Sequence, residues 1–240
     1  MKTLFLFLFF FFAIDSFATE SNRVVVAIEK LQYHPLYYIE NGEFKGFARD
    51  ILDQFFQKKN YSVQYKVLPY LRANKELKEK QVDLMFPDNP LWINDKKSGE
   101  SFIYSKPIIS YTDGLFSLKG HRLKEKGDIK VVGTLFGFTV TPLKERVDSG
   151  LVQLKEVFDV EKLLELLYLG RVDAVFLNTS VGLFYDREVS KKRQLELLPM
   201  VKHVESGYCF SSISRSDLVL ELNDFFKRPI RLGDQAEKKK

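Results

Sequence analysis

The chain has 240 residues, 45% hydrophobic and 29% charged, with 37 basic against 32 acidic side chains, a net charge of +5 and a single Cys. That balance excludes a disordered chain and a collagen-like repeat, and no apolar run reaches the about 20 residues that a membrane-spanning helix needs. The basic residues are mixed with acids along the whole chain, which argues for a solvated surface and against a nucleic-acid partner.

Lys2, the apolar stretch Thr3 to Ile14 and the small residues around Ala18 predict a secretory signal cut after Ala18, and so a periplasmic protein. Cys209 has no partner for an internal disulfide and reads as a small apolar residue between Tyr208 and Phe210. The run RVVVAI at Arg23 to Ile28 predicts a buried strand, followed by a loop and a hairpin turning at Asn41-Gly42. Phe47, Ile51, Leu52, Phe55 and Phe56 share one helical face, predicting a helix that ends near Asn60. A strand over Tyr61 to Leu68, a charged helix over Leu71 to Lys80 and a short strand over Val82 to Phe86 complete a first pass. A second pass starts near Asp128. It has strands at Ile129 to Val132, Leu151 to Leu154 and Val172 to Leu177, with helices from Pro142 and over Asp159 to Leu169.

Both passes end on a helix running into a Val-Asp pair and a hydrophobic strand, at Val82-Asp83 and Val172-Asp173, the mark of a β-α-β unit in a parallel sheet. Tyr104 to Leu118 and Leu198 to Ile213 read as extended segments that cross between two lobes, leaving the first near Asp113 and returning near Val204. The expected fold class is therefore α/β and two-lobed. Residues 1–18 form the signal, 19–113 with 205–232 one lobe, 114–204 the other, and 233–240 a frayed basic tail. Ligands of open α/β sheets bind beyond the carboxyl ends of the strands, which here face the cleft between lobes.

Four segments, YHPLYYIENGEFKGFARDIL at Tyr33 to Leu52, QVDLMFPDN at Gln81 to Asn89, YSKPI at Tyr104 to Ile108 and GRVDAVFLN at Gly170 to Asn178, together resemble the family 3 extracellular solute-binding proteins, which have the type II periplasmic binding fold. The resemblance implies a monomeric receptor, without metal or cofactor, that closes on a small polar or charged solute, amino-acid-like or a carboxylate. Such a receptor hands its solute to an ABC permease or signals to a membrane sensor. It implies that Tyr33 and Tyr37 pack over the ligand, unless one of them is a core residue. Asp88 and Asn89 would present polar groups, with Trp92 close behind as either a site or a packing residue. Phe138 and Thr139 precede a helix whose free N–H groups favour an anion, though Thr139 also fits a plain N-cap. Arg72, in LPYLRA, resembles the Pro-Trp-x-Arg-Ala stretch of a proteobacterial subgroup, and is either a carboxylate anchor or a surface Arg.

The chain also departs from the pattern. Where members that bind α-amino acids carry an Arg for the α-carboxylate, WINDKKSGES offers only Lys96 and Lys97. The acidic partner of the ammonium falls on Asn178, which is uncharged, and Gly137-Phe138-Thr139 puts a ring in place of a hydroxyl. An α-amino acid zwitterion buried without charged partners is strongly penalised, so a common amino acid is disfavoured. An enzyme on the same fold, of the dehydratase kind, would need an acid in the cleft. Glu205, Asp88 and Asp113 are candidates but form no paired constellation, and His34, His121 and His203 are scattered with no catalytic or metal motif. No catalytic residue is therefore expected.

Overall fold

A computed structural model of the chain describes residues 22–92 and 101–232. The expected signal, the basic tail, Lys96 and Lys97 lie outside the described residues. β1, Arg23–Glu29, is the predicted β-branched strand. The hairpin follows as β2, Tyr38–Glu40, and β3, Glu43–Lys45. Asn41 and Gly42 between them have φ of 52° and 81°, the two positive values that a tight hairpin turn demands and that Asn-Gly supplies. α1, Phe47–Lys58, buries the predicted apolar face and stops before Asn60, whose φ of 57° ends the helix. β4, Ser62–Leu68, α2, Tyr70–Lys78, and β5, Leu84–Asp88, follow. β1 lies parallel between β4 and β5, and Val24, Val26, Ala27 and Ile28 are fully buried.

The chain then runs through β6, Ile103–Tyr104, and the long β7, Ile109–Leu118. The second pass comprises β8, Val131–Leu135, a 3-10 turn at Thr141–Leu143, α3, Lys144–Asp148, β9, Gln153–Val157, α4, Val160–Tyr168, and β10, Ala174–Asn178. β8 lies parallel between β9 and β10, as β1 does in the first block. Asp159 caps α4, its Oδ1 accepting the Lys162 N–H at 2.7 Å. α5, Thr179–Phe184, β11, Leu195–Leu197, and α6, Ser216–Phe225, were not expected from the pattern. α6 buries Leu218, Val219 and Leu222 and sets Phe225 5.4 Å from Phe55, ring to ring.

The repeated Val-Asp pair has a hydrogen-bonding reason. Asp83 donates its N–H to the Val25 carbonyl at 2.9 Å, while its Oδ2 accepts the Val25 N–H at 2.7 Å. Asp173 does the same to β8: its N–H reaches the Val131 carbonyl at 2.9 Å and its Oδ2 accepts the Lys130 and Val131 N–H groups at 2.9 and 2.8 Å. Each Asp thus satisfies donors at the start of the neighbouring parallel strand, which would otherwise be left unpaired. Even their carbonyls match. That of Asp83 accepts the Ser212 hydroxyl at 2.7 Å and that of Asp173 the Ser117 hydroxyl at 2.9 Å.

β5, β8, β9 and β10 all start two residues later than the hydrophobic pattern predicts. Leu151 apart, the skipped apolar residues Val82, Ile129, Val152 and Val172 are buried all the same. They pack in the turn before the strand, so their hydrophobicity reports burial and not membership of the ladder.

β7 and β12, Val204–Ser212, join the two blocks. They pair antiparallel with each other over Ile109 to Asp113 against Val204 to Tyr208. β12 also pairs with β5, Cys209 opposite Asp88, and β7 with β10, Asp113 opposite Asn178. The result is one mixed sheet in the order β4-β1-β5-β12-β7-β10-β8-β9, with β11 on β7 and β6 on β12. The carboxyl ends of β5 and β10 therefore abut the two joining strands. Cys209 is buried there and its thiol is pushed up to about 12 by burial and by the charge of Asp88. No helix among the described residues is long and apolar enough to cross a membrane.

Candidate functional site

Polar and aromatic side chains converge where the strand ends of both blocks meet β7 and β12. β1 ends on Glu29, and the loop that follows folds back through a bridge between Tyr33 and Tyr37, burying both rings 5.7 Å apart. The Tyr37 hydroxyl donates to Glu29 Oε2 at 3.1 Å. The Tyr33 hydroxyl accepts the backbone N–H of Asn178, at the end of β10, at 3.4 Å. The Phe138 ring meets Tyr33 edge-on at 6.2 Å. Asn178 is buried, and its Oδ1 accepts the N–H groups of Ser180 and Val181, capping α5. Tyr33, Tyr37, Phe138 and Asn178 are thus brought together, drawn from both β-α-β blocks.

Asp113 lies opposite Asn178 across the ladder and takes a hydrogen bond from its side chain. Burial, only partly offset by that bond, raises the Asp113 carboxyl to about 7. Asp113 Oδ1 is sealed from solvent and has no hydrogen-bond partner among the described residues. Glu29 is raised to about 7 as well, chiefly by burial and further by the charge of Asp88, against the bond from Tyr37. Burial holds the hydroxyls of Tyr33, Tyr37 and Tyr208 well above their ordinary range, with nearby carboxylates adding to it.

Asp88 is fully buried, and its Oδ1 accepts the Asn89 N–H at 2.7 Å. Asn89 works as a strap: its Nδ2 donates to Ser206 Oγ at 2.9 Å and the Gly207 carbonyl at 2.8 Å, and its Oδ1 accepts the Leu91 N–H at 2.8 Å. Trp92 packs against Tyr208 at 6.0 Å and Tyr111 at 6.4 Å, and those two tyrosines stack at 4.4 Å.

Two expected residues stand apart. The Arg72 side chain is 68% exposed and its Nε donates to Glu76 Oε1 at 3.0 Å, one turn along α2. It lines a surface depression of about 560 Å³ with Leu71, Lys75, Glu76, Glu79 and Gln81. Thr139 is exposed, its carbonyl accepts the Thr141 N–H at 2.8 Å, and its side chain caps no helix. The helix expected there is a 3-10 turn and the five residues of α3.

Glu29, Tyr111 and Tyr208 were missed by sequence reasoning, and Asp113 was considered only as an acid for catalysis. A signal existed for two of them: Glu29 ends a buried apolar strand, and Asp113 interrupts one. Glu205 is exposed. Among the described residues no group of three or more His, Cys, Asp or Glu side chains is placed to hold a metal ion.

This order of strands, with two long strands joining two β-α-β blocks, is that of the type II periplasmic binding proteins. An ancestral arginine-binding protein bound to arginine is similar at a TM-score of 0.68 and 19% identity, over 86% of this chain and 91% of that one. The arginine-, lysine-, histidine-binding protein ArtJ of Geobacillus stearothermophilus gives 0.67 and 20%, over 85% and 88%. An arginine transport periplasmic binding protein of Legionella pneumophila gives 0.67 and 16%, over 86% and 93%. No curated protein matches the sequence. Residues 24–231 match the bacterial extracellular solute-binding proteins, family 3, and the chain belongs to that family of binding receptors.

Proposed function

We propose that the protein is a periplasmic receptor in which residues 19–113 with 205–232 form one lobe and residues 114–204 the other, closing on a small cationic solute for delivery to an ABC permease. The observation that carries this reading is the junction of Tyr33, Asn178 and Asp113, where a tyrosine of the first block bonds the strand end of the second beside a buried carboxyl. Aromatic faces and unneutralised carboxyls favour positive charge. The structural relatives named for arginine, lysine and histidine support a cationic solute. Delivery to an ABC permease, export through a cleaved signal at residues 1–18 and a monomeric state follow from the same reading.

A thermal-shift panel of arginine, lysine, histidine, glutamine, glutamate and simple amines tests it. A cation at 100 times its Kd stabilises by about 2.7 kcal/mol, roughly 5 to 10 °C for a chain of this size. Glutamate leaves the melting temperature unchanged. A panel in which no cation raises it removes the reading.

A further inference from the structure

Hydrogen-bond donors and acceptors around this junction are unequally spent. The Gly137 N–H donates to Glu156 Oε1 at 3.0 Å and the Phe138 N–H to the Leu135 carbonyl at 3.0 Å. Both hydrogens of the Asn89 amide go to Ser206 and Gly207. The guanidinium of Arg72 is held at the surface by Glu76. These are the groups that a bound carboxylate would call on, and each is already engaged by the protein. Acceptors are in the opposite condition. Asp113 Oδ1 is sealed in without a donor among the described residues, and the Glu29 carboxylate meets a tyrosine hydroxyl instead of a cation. The rings of Tyr33, Tyr37 and Phe138 pack on one another at the same junction, Tyr37 bonding Glu29 and Tyr33 bonding the Asn178 backbone.

Among the described residues the site is short of donors and rich in acceptors, a balance that selects a ligand that only donates. A carboxylate entering it would face like charge without a positive partner among the described residues, whereas an ammonium or guanidinium would satisfy Asp113 and pack its alkyl chain on the rings. We infer that the solute is a small organic amine or guanidine that carries no carboxylate. This deepens the receptor reading and rests on it.

Two pairs of compounds differ by that one group: cadaverine and lysine, and agmatine and arginine. Isothermal titration of the purified protein at pH 8 with all four is expected to give the amine at least about tenfold tighter binding than the amino acid in both pairs. Equal or tighter binding of the amino acids overturns this inference and leaves the receptor standing. Failure of all four to bind overturns both.

Discussion

Asp113→Asn is expected to weaken binding of a cationic solute by about 2 to 5 kcal/mol, on the order of thirtyfold to several thousandfold, the range for removing one partner of a buried charge pair. The same substitution is expected to stabilise the unliganded protein at pH 8. The wild-type carboxyl is buried with an unpartnered oxygen and its charged form is penalised, whereas an amide of the same shape keeps a hydrogen bond to Asn178 at no ionic cost. Opposite signs for binding and for stability separate a ligand contact from a purely structural residue. Calorimetric titration and thermal melting of the variant read the two together; unchanged affinity for every cation that binds the wild type would take Asp113 out of the site.

The second large effect is on pH. Folded-state values near 7 for Glu29 and Asp113 lie above the ordinary values of 4.5 and 3.8. Between about pH 4 and 7 the folded protein therefore holds protons that the unfolded chain has lost, and linkage requires its stability to fall as pH rises through that window and to level off above 7. The ceiling is roughly 3 to 4 kcal/mol for each carboxyl. The lowered carboxyls, Glu40, Glu76, Asp128, Glu165 and Asp217, work the other way, giving stability that is present above their unfolded values and lost as pH falls below them. Across pH 5 to 8 these two carboxyls work against His34 alone among the other shifted groups: burial lowers its imidazole below 6.5, so its contribution rises with pH. Urea unfolding of the unliganded protein across this interval is expected to show declining stability in the wild type and, in Glu29→Gln/Asp113→Asn, no decline but a slight rise from His34. Cation affinity moves in the opposite direction, rising by up to about tenfold per pH unit per carboxyl below pH 7 because each must lose its proton before it can pair. A wild-type stability that climbs from pH 5 to 8 would contradict the burial of these groups.

How much of this was legible in the sequence depended on the range of the interaction. The β-branched run of β1, the Asn41-Gly42 turn and the apolar face of α1 are local patterns and were read correctly. The Val-Asp echo was visible, and its reason, Asp83 and Asp173 bonding the starts of β1 and β8, is the same geometry formed twice. Strand starts were misplaced because Val82, Ile129, Val152 and Val172 are buried outside the ladder. Tyr33 and Tyr37 could be picked out as aromatics following a strand end. Asp113 could not be placed beside Asn178, because its position depends on the antiparallel register of β7 on β10, between segments 65 residues apart that no local pattern links. Arg72, which the sequence leaves as either a carboxylate anchor or a surface Arg, is engaged by Glu76 one helical turn away.

A crystal structure of the protein grown with cadaverine or agmatine is the most direct test of a solute held between the two blocks. An ammonium or guanidinium nitrogen about 2.7 to 2.9 Å from Asp113 Oδ1, with its alkyl chain against Tyr33 and Phe138, is the expected result. A ligand seated instead in the depression beside Arg72, or a fully occupied complex in which Asp113 keeps Asn178 as its only partner, would contradict it.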